Sequence, residues 1–175
     1  MRKSTGMSHN NAKASASGDA APLQAWRLAD AAATAALGAE LAARLPSGAI
    51  LLLFGDLGAG KTCLVQGLAL ALGIHEPITS PSFALAQHYG GRRVDGSATA
   101  LVHIDLYRLE DSASADELFA QEEEEAQALG ALLAVEWPQR LTLPPAGSWH
   151  LEISLLDPGD PDAGRQAKLT PPSEP

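Results

Sequence analysis

An unbroken apolar run, AILLLF (Ala49 to Phe54), leads straight into GDLGAGKT (Gly55 to Thr62). A short run that is apolar on both faces and ends at glycine reads as a buried parallel strand. Beyond it, Leu64, Leu68 and Leu72 recur at every fourth position, which predicts a helix over Lys61 to Leu72 with Gly73 as its stop. A strand, a glycine loop and a helix in that order confine the chain to α/β architectures.

The loop matches G-x-x-x-x-G-K-[ST] in full, with both flanks right. Glycines let the backbone wrap close enough for its N–H groups to point at phosphate oxygens. The positive end of the helix dipole adds to the attraction. The expected nucleotide contacts are Asp56, Leu57, Gly58, Ala59, Gly60, Lys61, Thr62 and Cys63. Lys61 is expected to reach the β- and γ-phosphates, and the Thr62 hydroxyl to ligate Mg2+.

Such a site needs further carboxylates. Asp105 closes the apolar strand TALVHI, and Glu136 closes the apolar strand ALLAV. In an open α/β sheet the C-terminal ends of strands surround the ligand crevice. Asp105 and Glu136 are thus placed to ligate the metal with Thr62, or to polarise an attacking water. Either could equally cap a turn. Thr79, Ser80 and Ser82 offer hydroxyls at the distance of a γ-phosphate sensor, and an ordinary turn explains them as well. His88 and His103 show no metal-ligand spacing with other histidines or with Cys63. The elements N/T-K-x-D and D-x-x-G, usual in guanine-specific GTPases, are absent, which favours ATP.

The remaining chain reads as an edge strand at Leu23 to Ala29, an N-cap at Asp30 and an alanine-rich helix to Leu45. A strand is expected to end at Tyr89, with GGRR (Gly90 to Arg93) as a hairpin turn. Leu118 to Leu129 reads as a helix whose EEEE run (Glu122 to Glu125) is a solvated face. WHLEISLL and RQAKLT read as a final hairpin around DPGDPDAG. The fold class expected is α/β: a single P-loop NTPase-like domain, a mixed sheet with flanking helices and β-hairpins. Residues 21–170 are expected to form that domain, with a disordered tail expected over 1–20 and a frayed end over 171–175.

With 175 residues and a net charge of -9, the surface repels phosphate backbones, so contact with RNA is expected through a partner. The one cysteine, Cys63, allows no internal disulfide and fits a reducing, cytoplasmic setting. A helix N-terminus lowers a thiol pKa, although a small buried side chain explains Cys63 as well. The first residues hold no apolar core of a secretory leader, and no run is long enough to span a membrane.

GDLGAGKT, TSPSF (Thr79 to Phe83), HIDLYRL (His103 to Leu109) and VEWPQR (Val135 to Arg140) occur in the order and spacing of the TsaE (YjeE) family of bacterial ATPases, which this sequence resembles over Leu23 to Thr170. The resemblance implies a small Mg2+-dependent ATPase. It would be needed to form N6-threonylcarbamoyladenosine at position 37 of tRNAs reading codons that start with A. It would act with the partners TsaB and TsaD, resetting their assembly between turnovers, and those partners would hold the tRNA. It further implies that Glu136 and Asp105 lie at the nucleotide and metal, and that Lys61, Glu136 and Asp105 are catalytic. Trp137 would help shape the site. Arg165, in a late Gly-Arg pair, and Ala31, near the N-terminal segment, would border the nucleotide. The segment DSASADELFAQEEEEAQALG is longer and more acidic than in many relatives. Two rivals stand beside this reading. One is a P-loop small-molecule kinase, which would need an acceptor pocket and lid. The other is a non-enzymatic module gated by nucleotide binding.

Overall fold

A computed structural model of the chain describes residues 24–173. The tail expected over 1–20 and the last two residues lie outside this range. Pro171 to Ser173 carry no regular structure.

Seven strands form one sheet in the order β1-β7-β6-β2-β5-β4-β3. They are β1 (Gln24–Leu28), β2 (Ile50–Phe54), β3 (Ala86–Arg92), β4 (Ala98–Asp105), β5 (Leu132–Glu136), β6 (Trp149–Leu155) and β7 (Arg165–Thr170). The helices are α1 (Ala31–Arg44), α2 (Lys61–Ala71) and α3 (Ser112–Leu129). β2 pairs in parallel with β5 and β6, and β5 pairs in parallel with β4. The β3–β4 and β6–β7 hairpins and β1 add antiparallel flanks. The mixed sheet of the sequence reading is therefore the sheet observed.

β2 runs through the middle because its residues suit no other place. Leu51, Leu52 and Leu53 are all fully buried. Side chains alternate along a strand, so Leu51 and Leu53 join the core under α1 and α2, and Leu52 joins the core under α3. α1 starts at Asp30, whose carboxylate accepts from the Ala33 N–H at 2.8 Å, the N-cap expected.

α1 and α2 pack backbone to backbone. A Cβ placed on Gly67 would lie 1.9 Å from the Ala35 carbonyl oxygen. No rotamer relieves that overlap, so the helices would have to separate. Gly67→Ala is expected to cost about 3 kcal/mol as overpacking, and to lower the Tm by roughly 6–12 °C in a domain of this size. Thermal unfolding followed by circular dichroism checks this, and an unchanged Tm would refute the close packing.

Three expectations need correction. Gly90 and Gly91 are not the hairpin turn. They sit inside β3, paired with Ala100 and Thr99, and the chain reverses at Arg93 to Ser97. Gly91 instead passes under α2, where a Cβ would meet the Leu72 carbonyl at 2.7 Å. Second, α3 begins at Ser112, well before Leu118, because the Asp111 side chain caps it by accepting from the Ser114 N–H at 2.8 Å. Third, the acidic run is not wholly solvated. Glu122 shares the inward face with Ala115, Phe119 and Ala126, and its carboxylate bonds His88 Nε2 of β3. Glu124 and Glu125 do face outward. Among the described residues, no helix is long and apolar enough to cross a membrane.

Candidate functional site

The turn after β2 wraps forward into α2 through Gly58 (φ 79°) and Gly60 (φ 110°), both in left-handed conformations that favour glycine. The loop is braced from behind. Arg165, at the start of β7, donates from Nε to the Ala59 carbonyl at 2.8 Å and from Nη2 to the Gly58 carbonyl at 3.4 Å. With the loop so held, the first N–H groups of α2, which have no partner within the helix, belong to residues that line a cleft.

The cleft has a volume of about 320 Å³. Of the residues expected to contact nucleotide in the loop, at the strand ends or beside it, Leu57, Gly58, Gly60, Lys61, Thr62, Cys63, Asp105 and Glu136 line it, as do Ser80 and Ser82 of the proposed sensor, while Thr79 does not. Four others do not. Asp56 offers its carbonyl to Lys61, Ala59 is buried, Arg165 grips the back of the loop, and Ala31 accepts from the Cys63 thiol at 3.3 Å. Tyr107 and Trp137 complete the lining.

Parallel pairing of β4 with β5 sets Asp105 beside Glu136 at the strand ends. Both are almost fully buried. Their hydrogen bonds differ. Asp105 Oδ2 accepts from Ser80 at 2.6 Å and from Ser82 at 3.0 Å, and Oδ1 accepts from the Tyr107 N–H at 2.9 Å. The serines are thus tied to the sheet through Asp105. Glu136 Oε1 accepts from Thr62 Oγ1 at 2.8 Å and faces His103 Nε2 at 3.0 Å. The bond from Thr62 draws the end of the phosphate loop and the end of β5 together.

Lys61 is only 4% exposed. Its Nζ donates to the carbonyls of Gly55 at 2.7 Å and Asp56 at 2.9 Å, and lies 4.4 Å from the centre of the Trp137 ring. Burial lowers its pKa, opposed by the charges of Glu136, Asp105 and Asp56. Trp137 holds a left-handed backbone (φ 59°) and packs on Tyr107 with ring centres 4.8 Å apart. The two rings are tilted by 44° to each other, and Trp137 is the one beside the lysine. Arg108 lies outside the lining, its guanidinium 4.3 Å from the centre of the exposed Phe83 ring.

At Cys63 the helix terminus does not win. Burial pushes the thiol up from its ordinary value, against the pull of Arg165 and the Ala35 backbone. Iodoacetamide should therefore modify it several-fold more slowly than free cysteine at neutral pH. The rate should still be rising at pH 9.0, the ordinary value of the group. A plateau below that pH would overturn the assignment.

Sequence reasoning weighed His103 only as a metal ligand and missed its place beside Glu136. Its signal was present: a histidine within an apolar strand, two residues before the strand-end carboxylate and so on the same face.

A glycine loop between a buried parallel strand and a helix, with a lysine, a threonine and two neighbouring strand-end carboxylates, defines a P-loop nucleoside triphosphatase fold. The solved structure of YdiB from Bacillus subtilis shares this fold with a TM-score of 0.64 and 28% identity, over 87% of each chain. The family model for the threonylcarbamoyl adenosine biosynthesis protein TsaE matches residues 28–165. The chain belongs to the TsaE family, named for its part in making that tRNA modification. It is similar to the tRNA threonylcarbamoyladenosine biosynthesis protein TsaE of Nostoc sp., 41% identical over 82% of this chain and 83% of the relative. The protein of the same name from Synechocystis sp. is 45% identical over 65% of this chain and 69% of the relative.

Proposed function

We propose that this chain is a Mg2+-dependent ATPase, with residues 21–170 as its catalytic domain. It would act in the cytoplasm with TsaB and TsaD in forming N6-threonylcarbamoyladenosine at position 37 of tRNAs reading A-starting codons. The observation that carries the chemical part is the convergence of Lys61, Thr62 and Glu136 on one cleft, with the Thr62 hydroxyl 2.8 Å from the Glu136 carboxylate. Family membership supports the biological part.

The residues fit the cofactor. Thr62 donates its proton to Glu136, so its oxygen keeps lone pairs for a metal, and a hard divalent cation prefers oxygen donors. Bound with ATP, Mg2+ would neutralise charge on the β- and γ-phosphates as the phosphoryl group leaves. The loop amides would hold the phosphates in place, and Lys61 would meet the charge developing on the transferring group. Glu136 would orient the attacking water or a metal-bound one. Asp105, its oxygens already engaged by Ser80, Ser82 and Tyr107, would organise the far wall of the cleft. Hydrolysis would serve as a timing device, slow in the isolated chain and faster with partners. The acidic surface agrees with partners that carry the tRNA themselves.

The test is multiple-turnover threonylcarbamoylation of unmodified tRNA by TsaB, TsaD and the adenylate-forming enzyme, with this chain present or omitted. Sustained turnover is expected only with the chain present. Equal turnover in both reactions would sink the reading.

A further inference from the structure

The Glu136 carboxylate receives both of its hydrogen bonds from the described residues on one oxygen. Thr62 Oγ1 donates to Oε1 at 2.8 Å, and His103 Nε2 stands 3.0 Å from that same Oε1. A carboxylate oxygen has two lone pairs, so Oε1 is filled. Among the described residues none bonds Oε2, which is left to the cleft that Glu136 lines.

His103 is fully buried in β4. It pairs with Ala134 of β5, two residues before the Asp105–Glu136 pair, and so lies on the same face of the sheet as both carboxylates. Its other nitrogen, Nδ1, is enclosed without a hydrogen-bond partner, the one such buried side-chain atom among the described residues. An orphaned polar atom of this kind is destabilising. An apolar side chain would fill the core there without that cost. What the imidazole supplies beyond packing is the bond to Glu136. Because the acceptor is a carboxylate, the ring proton belongs on Nε2, which leaves Nδ1 as a bare lone pair.

We propose that His103 is a positioning residue for the site: its Nε2–H pins Glu136 Oε1, so that Oε2 alone faces the metal or the attacking water. This rests on the nucleotide reading of the cleft. Hydrogen-bond partners that orient a ligating or catalytic group are worth about 10- to 100-fold in metal affinity or activity.

Two measurements test it. The first is single-turnover ATP hydrolysis, with chain in excess over ATP, for His103→Gln, His103→Asn and His103→Leu. Glutamine carries an N–H about as far from the backbone as Nε2, and asparagine falls short. The Leu and Asn variants should lose about 10- to 100-fold in the hydrolysis step with ATP affinity almost unchanged, and Gln should recover most of the loss. A merely structural histidine would not separate Gln from Asn, since both bury an amide. Wild-type rate in the Leu variant, or Gln as slow as Leu, would overturn the proposal.

The second measurement needs no nucleotide. Long-range 1H–15N correlation on chain labelled with 15N-histidine reports the tautomer, with the His103→Gln spectrum identifying the signal among five histidines. The Nε2–H tautomer is expected, lost as a single form in Glu136→Ala. An Nδ1–H tautomer would overturn the proposal. Should the intact chain fail to hydrolyse ATP, the functional reading falls, and the spectrum still decides whether His103 holds Glu136.

Discussion

Lys61→Ala is expected to slow ATP hydrolysis by about 10²–10³-fold, the loss seen when one preorganised donor to transition-state charge is removed. The ammonium is held beside the phosphate loop by two backbone carbonyls and the face of Trp137. Nothing else in the cleft can take its place, because Arg165 is spent behind the loop and Arg108 lies outside the lining. The fold should survive the change. Burial depresses the lysine pKa, so the proton is bound less tightly in the folded chain than in the unfolded one. Stability therefore carries a penalty that is full below the folded pKa and fades as pH rises through it toward the unfolded value. Alanine removes that penalty and also removes two hydrogen bonds. The opposing terms should leave the Tm within about 2–4 °C of the parent, the shift of a ~1 kcal/mol change in a domain of this size. In the reconstituted tRNA reaction the variant should give no more product than the reaction without the chain. Near-parental hydrolysis by a folded Lys61→Ala chain would remove the phosphate-loop mechanism.

How much of this was legible in the sequence depended on how local the determining physics was. β2, the phosphate loop and α2 follow from adjacent residues: an apolar run, glycines at the turn and leucines at helical spacing. The two strand-end carboxylates were also readable, because a strand's apolar run says where it stops. What failed were features decided by other elements. Gly90 and Gly91 look like a turn by composition, yet both lie within β3, and the end of α2 over Gly91 makes glycine a packing requirement there. Glu122 looks like one more solvated acid, yet helical phase carries it inward to His88. That Arg165 would bond the carbonyls of Ala59 and Gly58 could not be read from the sequence either, since only the sheet order brings the start of β7 beside the loop. The division of labour between Asp105 and Glu136 was equally out of reach, since their types and strand-end positions are alike and only their partners differ.

That division supports the second large effect. Glu136→Gln is expected to lower hydrolysis by about 10²–10³-fold, and Asp105→Asn by about tenfold or less. Glutamine at 136 removes the negative charge that would meet a metal or attacking water. It also sets its amide N–H₂ against two donors, the Thr62 hydroxyl and the His103 N–H, unless it turns its oxygen to them. In that turned pose an N–H₂ replaces Oε2 and faces the cleft as a donor, where an acceptor is required. Asparagine at 105 meets a more forgiving set. Its oxygen can still accept from the Tyr107 N–H, and its amide can donate to the serine hydroxyls, which accept as readily as they donate. The wall of the cleft should then keep its shape and lose only charge. Parallel single-turnover rates and nucleotide affinities for the two variants decide the matter. If Asp105→Asn proves the more damaging while ATP still binds, Asp105 becomes the group that steers water, and Glu136 a clamp on Thr62.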